Sequence, residues 1–336
     1  MLINYFFIMF SSVFSGIVFI FLLKKFSLRF KILAPQGVPL IGGLGIWMSF
    51  VLSCLFGFFL CGGLFGPVFR AQGMSLQTGG ILFASGVMLI FGIIDDWREL
   101  SIVAKLLVQL IAASVLIFCG IRTRIVNIGN LLNIIITFIW VLTITNAFNL
   151  LDVLDGLAGA VGIIVSIAFL AVSFFCGNLS TAILLLSLIG CLLGFLIYNF
   201  PPAKIYLGNS GSHFLGFILA AIAIAISYAP LERKFTLVSP ILILGLPIFD
   251  TAFLILVRMN KKKPLFKKSN DHLALRLLVL GVTKRKALAA MLALCLFFSL
   301  CGVGTSRASN FWGIVIFAFA SLVSLITVWR MSKFNG

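Results

Sequence analysis

Runs of about 17–25 apolar residues, separated by short polar connections, recur along the whole chain. They fall near residues 2–23, 39–62, 78–95, 103–121, 131–151, 157–176, 181–199, 212–228, 237–257, 287–303 and 310–330. A helix of this length crosses the hydrocarbon core of a bilayer with every backbone polar group satisfied. The pattern predicts an all-α fold, a polytopic integral membrane helical bundle of about eleven transmembrane helices. Residues 1–336 read as a single integral membrane domain, and the longest hydrophilic stretch is a basic cytoplasmic loop at 258–286. Residues 2–23 lack a basic segment before the apolar run and a small-residue cleavage signal, so they read as a retained helix.

Composition narrows the choice. Of the 336 residues 62% are hydrophobic and 10% charged, whereas a soluble domain carries about 25% charge. Disorder is excluded too, since it needs low hydrophobicity and high charge. The net charge of +17 comes from basic residues placed between the apolar runs, where headgroups would meet them. No nucleic-acid-binding motif accompanies them, so nucleic acid is not expected as a partner. With the N-terminus outside, the connections on the cytoplasmic side hold 19 Lys and Arg and those outside hold six, ten of the 19 lying in 258–286. The seven cysteines lie in or at the ends of apolar runs without a CxxC pair, and read as small hydrophobes.

An acid in or near a membrane span is costly and marks function by default. The chain has eight acids. Asp95, Asp96, Glu99, Asp152, Asp155, Asp250 and Asp271 fall on the predicted cytoplasmic side, and only Glu232 lies outside. Carboxylates amid basic residues suit a hard divalent cation holding a phosphorylated ligand. The plainer reading, that these acids are counter-charges of a basic surface, stands beside it.

Four segments carry the candidate chemistry. In "GIIDDWRELSIVAKLLVQ" Asp95 and Asp96 end a span, where two adjacent carboxylates repel, so that one holds its proton unless a cation intervenes. As carboxylates near the interface they are expected to contribute little to packing. Ser101 and Lys105 share a face of the next helix. In "NAFNLLDVLDGLAG" Asn146, Asn149, Asp152 and Asp155 recur every three residues. Each step slips by about 60°, so the series needs a helix end or break, which Gly156 and Gly159 can provide. In "YNFPPAKIYLGNSGSHFLGF" Lys204 and a Gly/Ser turn feed a helix N-terminus, a place for an anion; His213 there reads as packing or capping. In "VRMNKKKPLFKKSNDHLALRLLVLGVTKRKAL" Ser269 or Asn270 can cap a short helix with Asp271 in its first turn and His272 and Arg276 on one face. Gly42, Gly43 and Gly45 read as close helix packing.

Taken in order, "PLIGGLG", these four segments and "PIFDTAFLILVR" resemble the polyprenyl-phosphate N-acetylhexosamine-1-phosphate transferase family over roughly residues 35–290. The branch it resembles acts on UDP-N-acetylglucosamine or a related UDP-sugar; the multi-His signature of the pentapeptide branch is absent. The resemblance implies transfer of a sugar-1-phosphate from a UDP-sugar to undecaprenyl (polyprenyl) phosphate, with release of UMP, at the cytoplasmic face of a bacterial inner membrane. It implies Asp95, Asp96 and His272 as catalytic residues, and Lys105, Asn146, Asn149, Asp152, Asp155, Lys204 and Arg276 as substrate-binding residues. It implies Mg²⁺, with Mn²⁺ as a substitute, held by Asp96, Asp152 and Asn209. The family has Asp where Asn209 stands, Gly at Val153 and further histidines at Ala274 and Leu275. Two other readings are a catalytically impaired relative acting as a scaffold and a transporter of anionic lipid or solute, which would place acids at the bilayer midplane. Whether the chain forms a homodimer stays open at this stage.

Overall fold

The computed structural model describes residues 2–30, 33–34, 37–63, 75–126, 128–226, 233–262 and 271–332. Among them thirteen α-helices follow one another and no strand occurs. They are α1 (Leu2–Phe30), α2 (Gly42–Gly63), α3 (Leu76–Trp97), α4 (Ile102–Phe118), α5 (Gly129–Leu151), α6 (Leu157–Phe175), α7 (Leu179–Asn199), α8 (Gly208–Ala225), α9 (Ser239–Ile243), α10 (Gly245–Asn260), α11 (Leu273–Val279), α12 (Lys284–Arg307) and α13 (Asn310–Ser332).

Helices meet at each of the eleven expected spans. Among the described residues nine are long and apolar enough to cross a membrane. The bent pair 234–243 and 245–260 makes a tenth if it counts as one span, while α4 is shorter, so the number eleven is not settled. The expected straight span at 237–257 is corrected: the chain bends by 73° at Leu244. Pro247 has no N–H to give to the carbonyl four residues back, and its ring crowds that carbonyl.

Helix α8 is the hub. Its residues from Gly208 to Ala223 are buried except Asn209, and it packs against α2, α3, α5 and α6. Of its apolar stretch 83% is buried, against 11% for α13, which lies at the periphery with Phe311, Leu322 and Trp329 outward. Such outward apolar side chains suit lipid rather than water. Small residues let the central helices touch. A Cβ on Gly43 would lie 2.2 Å from the Gly211 nitrogen, and one on Gly92 would lie 2.3 Å from the Ser210 Cα. The expected packing role of the α2 glycines is therefore met at Gly43.

Alternation of the helices collects the ends of α3, α5, α7 and α10 and the starts of α4, α6, α8 and α11 at one end of the bundle. The candidate residues sit there. The opposite end holds residues 119–126, 176–178, 233–238 and 308–309. The segment 258–286 is not one loop: α10 runs into it, α11 lies within it and α12 begins at Lys284. Arg70, Glu232, Ser269 and Asn270, with Lys31, Lys263, Lys267, Lys268 and Lys333, lie outside the described residues.

Candidate active site

The first N–H groups of a helix have no partner inside it. At α8 that need is met from another helix. Asp96, at the end of α3, accepts the Asn209 N–H at 2.7 Å and the Ser210 N–H at 3.0 Å. The positive end of the α8 dipole favours the carboxylate. Gly208 makes the approach possible, since its φ is +75° and a Cβ there would lie 2.7 Å from Asp96 Oδ2.

Asn149 joins the same point. Its Nδ2 donates to Asn209 Oδ1 at 3.0 Å and to Ser212 Oγ at 2.9 Å. Helix α5 then stops at Leu151, and Asp152 leaves helical geometry. The turn closes at Gly156, whose φ of +79° starts α6. The expected break is thus at Gly156. Gly159 is corrected: it lies inside α6, where a Cβ would meet Leu196 at 3.2 Å and Phe195 at 3.4 Å. Asn199 holds the turn by accepting the Gly156 N–H at 2.9 Å and donating to the Ile205 carbonyl at 2.8 Å. Asp155 Oδ2 accepts the Ala203 N–H at 3.2 Å. Among the described residues no hydrogen bond or ion pair engages the half-buried Asp152 carboxylate. Its surroundings push it up to about 7, through burial first and the charges of Asp96 and Asp155 second.

Asp95 points elsewhere. It is 3% exposed, accepts the Leu100 N–H at 2.8 Å and pairs with Lys105 Nζ at 2.6 Å. The expectation of a carboxylate with little part in packing is corrected here, because a buried ion pair ties the ends of α3 and α4. The cation expected to relieve the adjacent acids is, for Asp95, this lysine. Ser101 caps α4 by accepting the Ala104 N–H at 3.2 Å. Asn146 turns to α4 as well, its Nδ2 donating to Gln109 Oε1 at 2.8 Å. The polar series of α5 therefore divides, with Asn146 on α4, Asn149 on α8 and the two aspartates in the turn.

The last group lies where α10 meets α11. His272 Nδ1 sits 2.9 Å from Asp250 Oδ2, and Asp250 Oδ1 accepts the Leu273 N–H at 2.9 Å. Both side chains are buried. Asp271 is corrected: it precedes α11, which starts at Leu273 with Asp250 reaching across to cap it. Arg276 contacts Asp271 at 3.5 Å, donates to the Met331 carbonyl at 3.0 Å and lies over the Phe253 ring. Lys204 is exposed in the connection before α8. Among the described residues no hydrogen bond or ion pair joins the His272–Asp250 pair to Asp96 or Asp152.

Sequence reading passed over Gln109 and Asn199, and took Ser212 only as part of the Gly/Ser turn. Gln109 follows Lys105 by four, one helical turn on the same face, which is the signal that could have found it. Asn199 carries no comparable signal, since the Gly156 it holds comes from a distant segment.

Among the described residues no three acids, histidines or cysteines form a ready-made metal cage. Mg²⁺ does not require one, because it binds through one or two carboxylates plus substrate phosphates and water. The donor set of Asp96, Asp152 and the Asn209 amide oxygen fits that habit, and Asp152 is a carboxylate whose raised proton affinity a cation would relieve.

The sequence is similar to those of several known proteins. The model of "Glycosyl transferase family 4" matches residues 78–227. A Bacillus subtilis (strain 168) protein named "Probable undecaprenyl-phosphate N-acetylglucosaminyl 1-phosphate transferase" is 30% identical over 317 residues, 89% of this chain and 83% of the relative. A Mycobacterium tuberculosis decaprenyl-phosphate N-acetylglucosaminephosphotransferase is 28% identical over 265 residues, 67% of this chain and 65% of the relative. A Streptococcus thermophilus phospho-N-acetylmuramoyl-pentapeptide-transferase is 31% identical over 212 residues, 58% of this chain and 60% of the relative.

Proposed function

The chain belongs to glycosyl transferase family 4, and from that premise we propose that it is an integral membrane transferase. It moves N-acetylglucosamine-1-phosphate, or a related N-acetylhexosamine-1-phosphate, from a UDP-sugar to polyprenyl phosphate and releases UMP. The observation that carries this reading is the meeting of Asp96, Asn149 and Asn209 at the N-terminus of α8. Three distant segments place one carboxylate and two side-chain amides around one point, hard oxygen donors that suit a divalent cation neutralising phosphate charge.

The polyprenyl phosphate oxygen attacks the β-phosphorus of the UDP-sugar, a P–O bond forms there, and the bond to the UMP oxygen breaks. Mg²⁺, when bound, neutralises charge on the diphosphate and the departing UMP. Asp96 and Asp152 would hold it, with Asn209 supplying a neutral oxygen. Asp155 keeps the 152–156 turn against the 200–207 connection, and Asn149 orients Asn209. Lys204, exposed in the connection before α8, would meet a phosphate. Asp95 steers Lys105, and Asp250 orients His272 through Nδ1. The Lys/Arg bias supports a cytoplasmic position for this end of the bundle.

The test is purified protein with Mg²⁺, undecaprenyl phosphate and a panel of UDP-sugars, read as UMP release. UMP formed only with lipid phosphate and one class of UDP-N-acetyl sugar supports the reading. Folded protein that releases no UMP from any of them overturns it in favour of an inactive relative.

A further inference from the structure

A second site lies at the other end of the bundle. A cavity of about 650 Å³ opens there between the 120–125 connection, the ends of α6, α8 and α12, and the start of the bent pair. Arg122, Arg124, Arg233 and Arg307 line it, and among the described residues no carboxylate does. Arg233 Nη1 donates to the Arg307 carbonyl at 2.9 Å, and Arg124 Nη2 approaches the Gly120 carbonyl at 3.4 Å. The Arg307 guanidinium lies 4.7 Å over the Phe175 ring. These contacts hold one edge of the Arg124 and Arg233 guanidinium groups and one face of the Arg307 group while leaving further donors for a ligand.

Four like charges around one concave, partly apolar space repel, and an anion inside relieves them. The planar guanidinium fork matches phosphate oxygens better than an ammonium does. The other wall is apolar, with Ile136, Trp140, Val172 and Ile224. Three more lining residues, Phe175, Leu237 and Ile241, keep 48%, 37% and 42% of their surface exposed, so the apolar wall runs out onto the lipid-facing side of the bundle. A water-filled site for a small free anion would not need that continuation.

We propose that this cavity binds the phosphate headgroup of an anionic phospholipid from the leaflet opposite the catalytic end, with the arginines on the phosphate and the first acyl carbons along Trp140 and Phe175. Basic pockets between membrane helices hold such headgroups elsewhere. The site shares no residue with the acid cluster, so it stands or falls independently of the reaction.

The experiment uses the full chain in phosphatidylcholine nanodiscs doped with phosphatidylglycerol, and reads the lipid retained on release into the gas phase by native mass spectrometry. Wild type should retain phosphatidylglycerol over phosphatidylcholine. The Arg122→Gln/Arg307→Gln double variant should lose that preference by about fivefold per arginine. A Lys24→Gln/Lys25→Gln variant, which removes the same charge at the other end, should keep it. If the arginine double variant does not fold, the exposed Arg124→Gln serves in its place, with about a fivefold loss expected. Equal retention by wild type and arginine variants overturns the proposal. Inorganic phosphate that displaces the lipid at equal concentration also overturns it, in favour of a site for free anions.

Discussion

The Asp96 carboxylate accepts the Asn209 N–H at 2.7 Å, so the last turn of α3 caps α8, a helix more than a hundred residues further along the chain. The same carboxylate is a candidate metal ligand, and Asn209 carries the neutral oxygen beside it. Fold and chemistry therefore share one group. Asp96→Asn replaces one of its two acceptor oxygens by a donor that faces an N–H. Loss of such a cap costs about 1–2 kcal/mol, and loss of a base or metal ligand costs about 10²-fold or more in rate. A thermal melt and UMP release on the same preparation separate the two effects. Turnover within about twofold of wild type would remove Asp96 from the chemistry.

Asn209→Asp is nearly isosteric and keeps an acceptor for Asn149 Nδ2. It also adds a negative charge next to Asp96. Without Mg²⁺ the variant should melt lower than the parent, and Mg²⁺ should reverse the difference. In turnover it should reach half its maximal rate at a lower Mg²⁺ concentration. Superimposable metal curves for both proteins would mean that position 209 does not face the ion.

Asp95 and Lys105 form a pair with the carboxylate fully buried and the lysine partly exposed. Breaking a fully buried pair costs about 3–5 kcal/mol, and the exposed lysine lowers the figure here to about 2 kcal/mol. Asp95→Asn and Lys105→Met should each destabilise, and the double variant should lose less than the sum of the two. Additive losses in urea unfolding would show that the two groups do not interact in the membrane protein.

The Asp152 carboxyl is pushed up to about 7, so at pH 6 a proton occupies it and competes with Mg²⁺. The Mg²⁺ concentration for half-maximal rate should rise about tenfold per pH unit below 7, and Asp152→Asn should flatten the dependence. The sign for stability follows. The folded chain holds this proton more tightly than the unfolded one, so without metal the group makes folding less favourable as pH climbs from about 4 to about 7. A metal curve unchanged between pH 6 and pH 8 would remove Asp152 from the ion's ligands.

His213 is fully buried on α8 against Phe91, and neither ring nitrogen has a hydrogen-bond partner among the described residues. Desolvating such a group without compensation costs about 1–3 kcal/mol. His213→Leu should therefore leave the melting temperature unchanged or raise it. A drop of several degrees would reveal a partner, such as a buried water, that the ring needs.

Apolar run length alone was enough to determine an all-helical membrane protein, because lipid leaves the backbone no other open solution. Motif order located the candidate residues, and the three-residue step from Asn146 to Asp155 already demanded a break, since a straight helix cannot present all four to one ligand. Asp96 was legible as chemistry, yet nothing local says that it caps α8, because its donors at Asn209 and Ser210 come from a segment far along the chain. Asp95, its neighbour, looked equivalent and proved to be a buried partner of Lys105, because successive residues on a helix point about 100° apart. The pairing of His272 with Asp250 depends on how α10 packs. The arginine cavity is the strongest case. Its four charges sit in two connections and at the end of α12 and read along the chain as scattered exceptions to the charge bias. Only helix packing brings them to one space, because electrostatic and packing energies depend on distance in three dimensions, which a linear pattern does not encode.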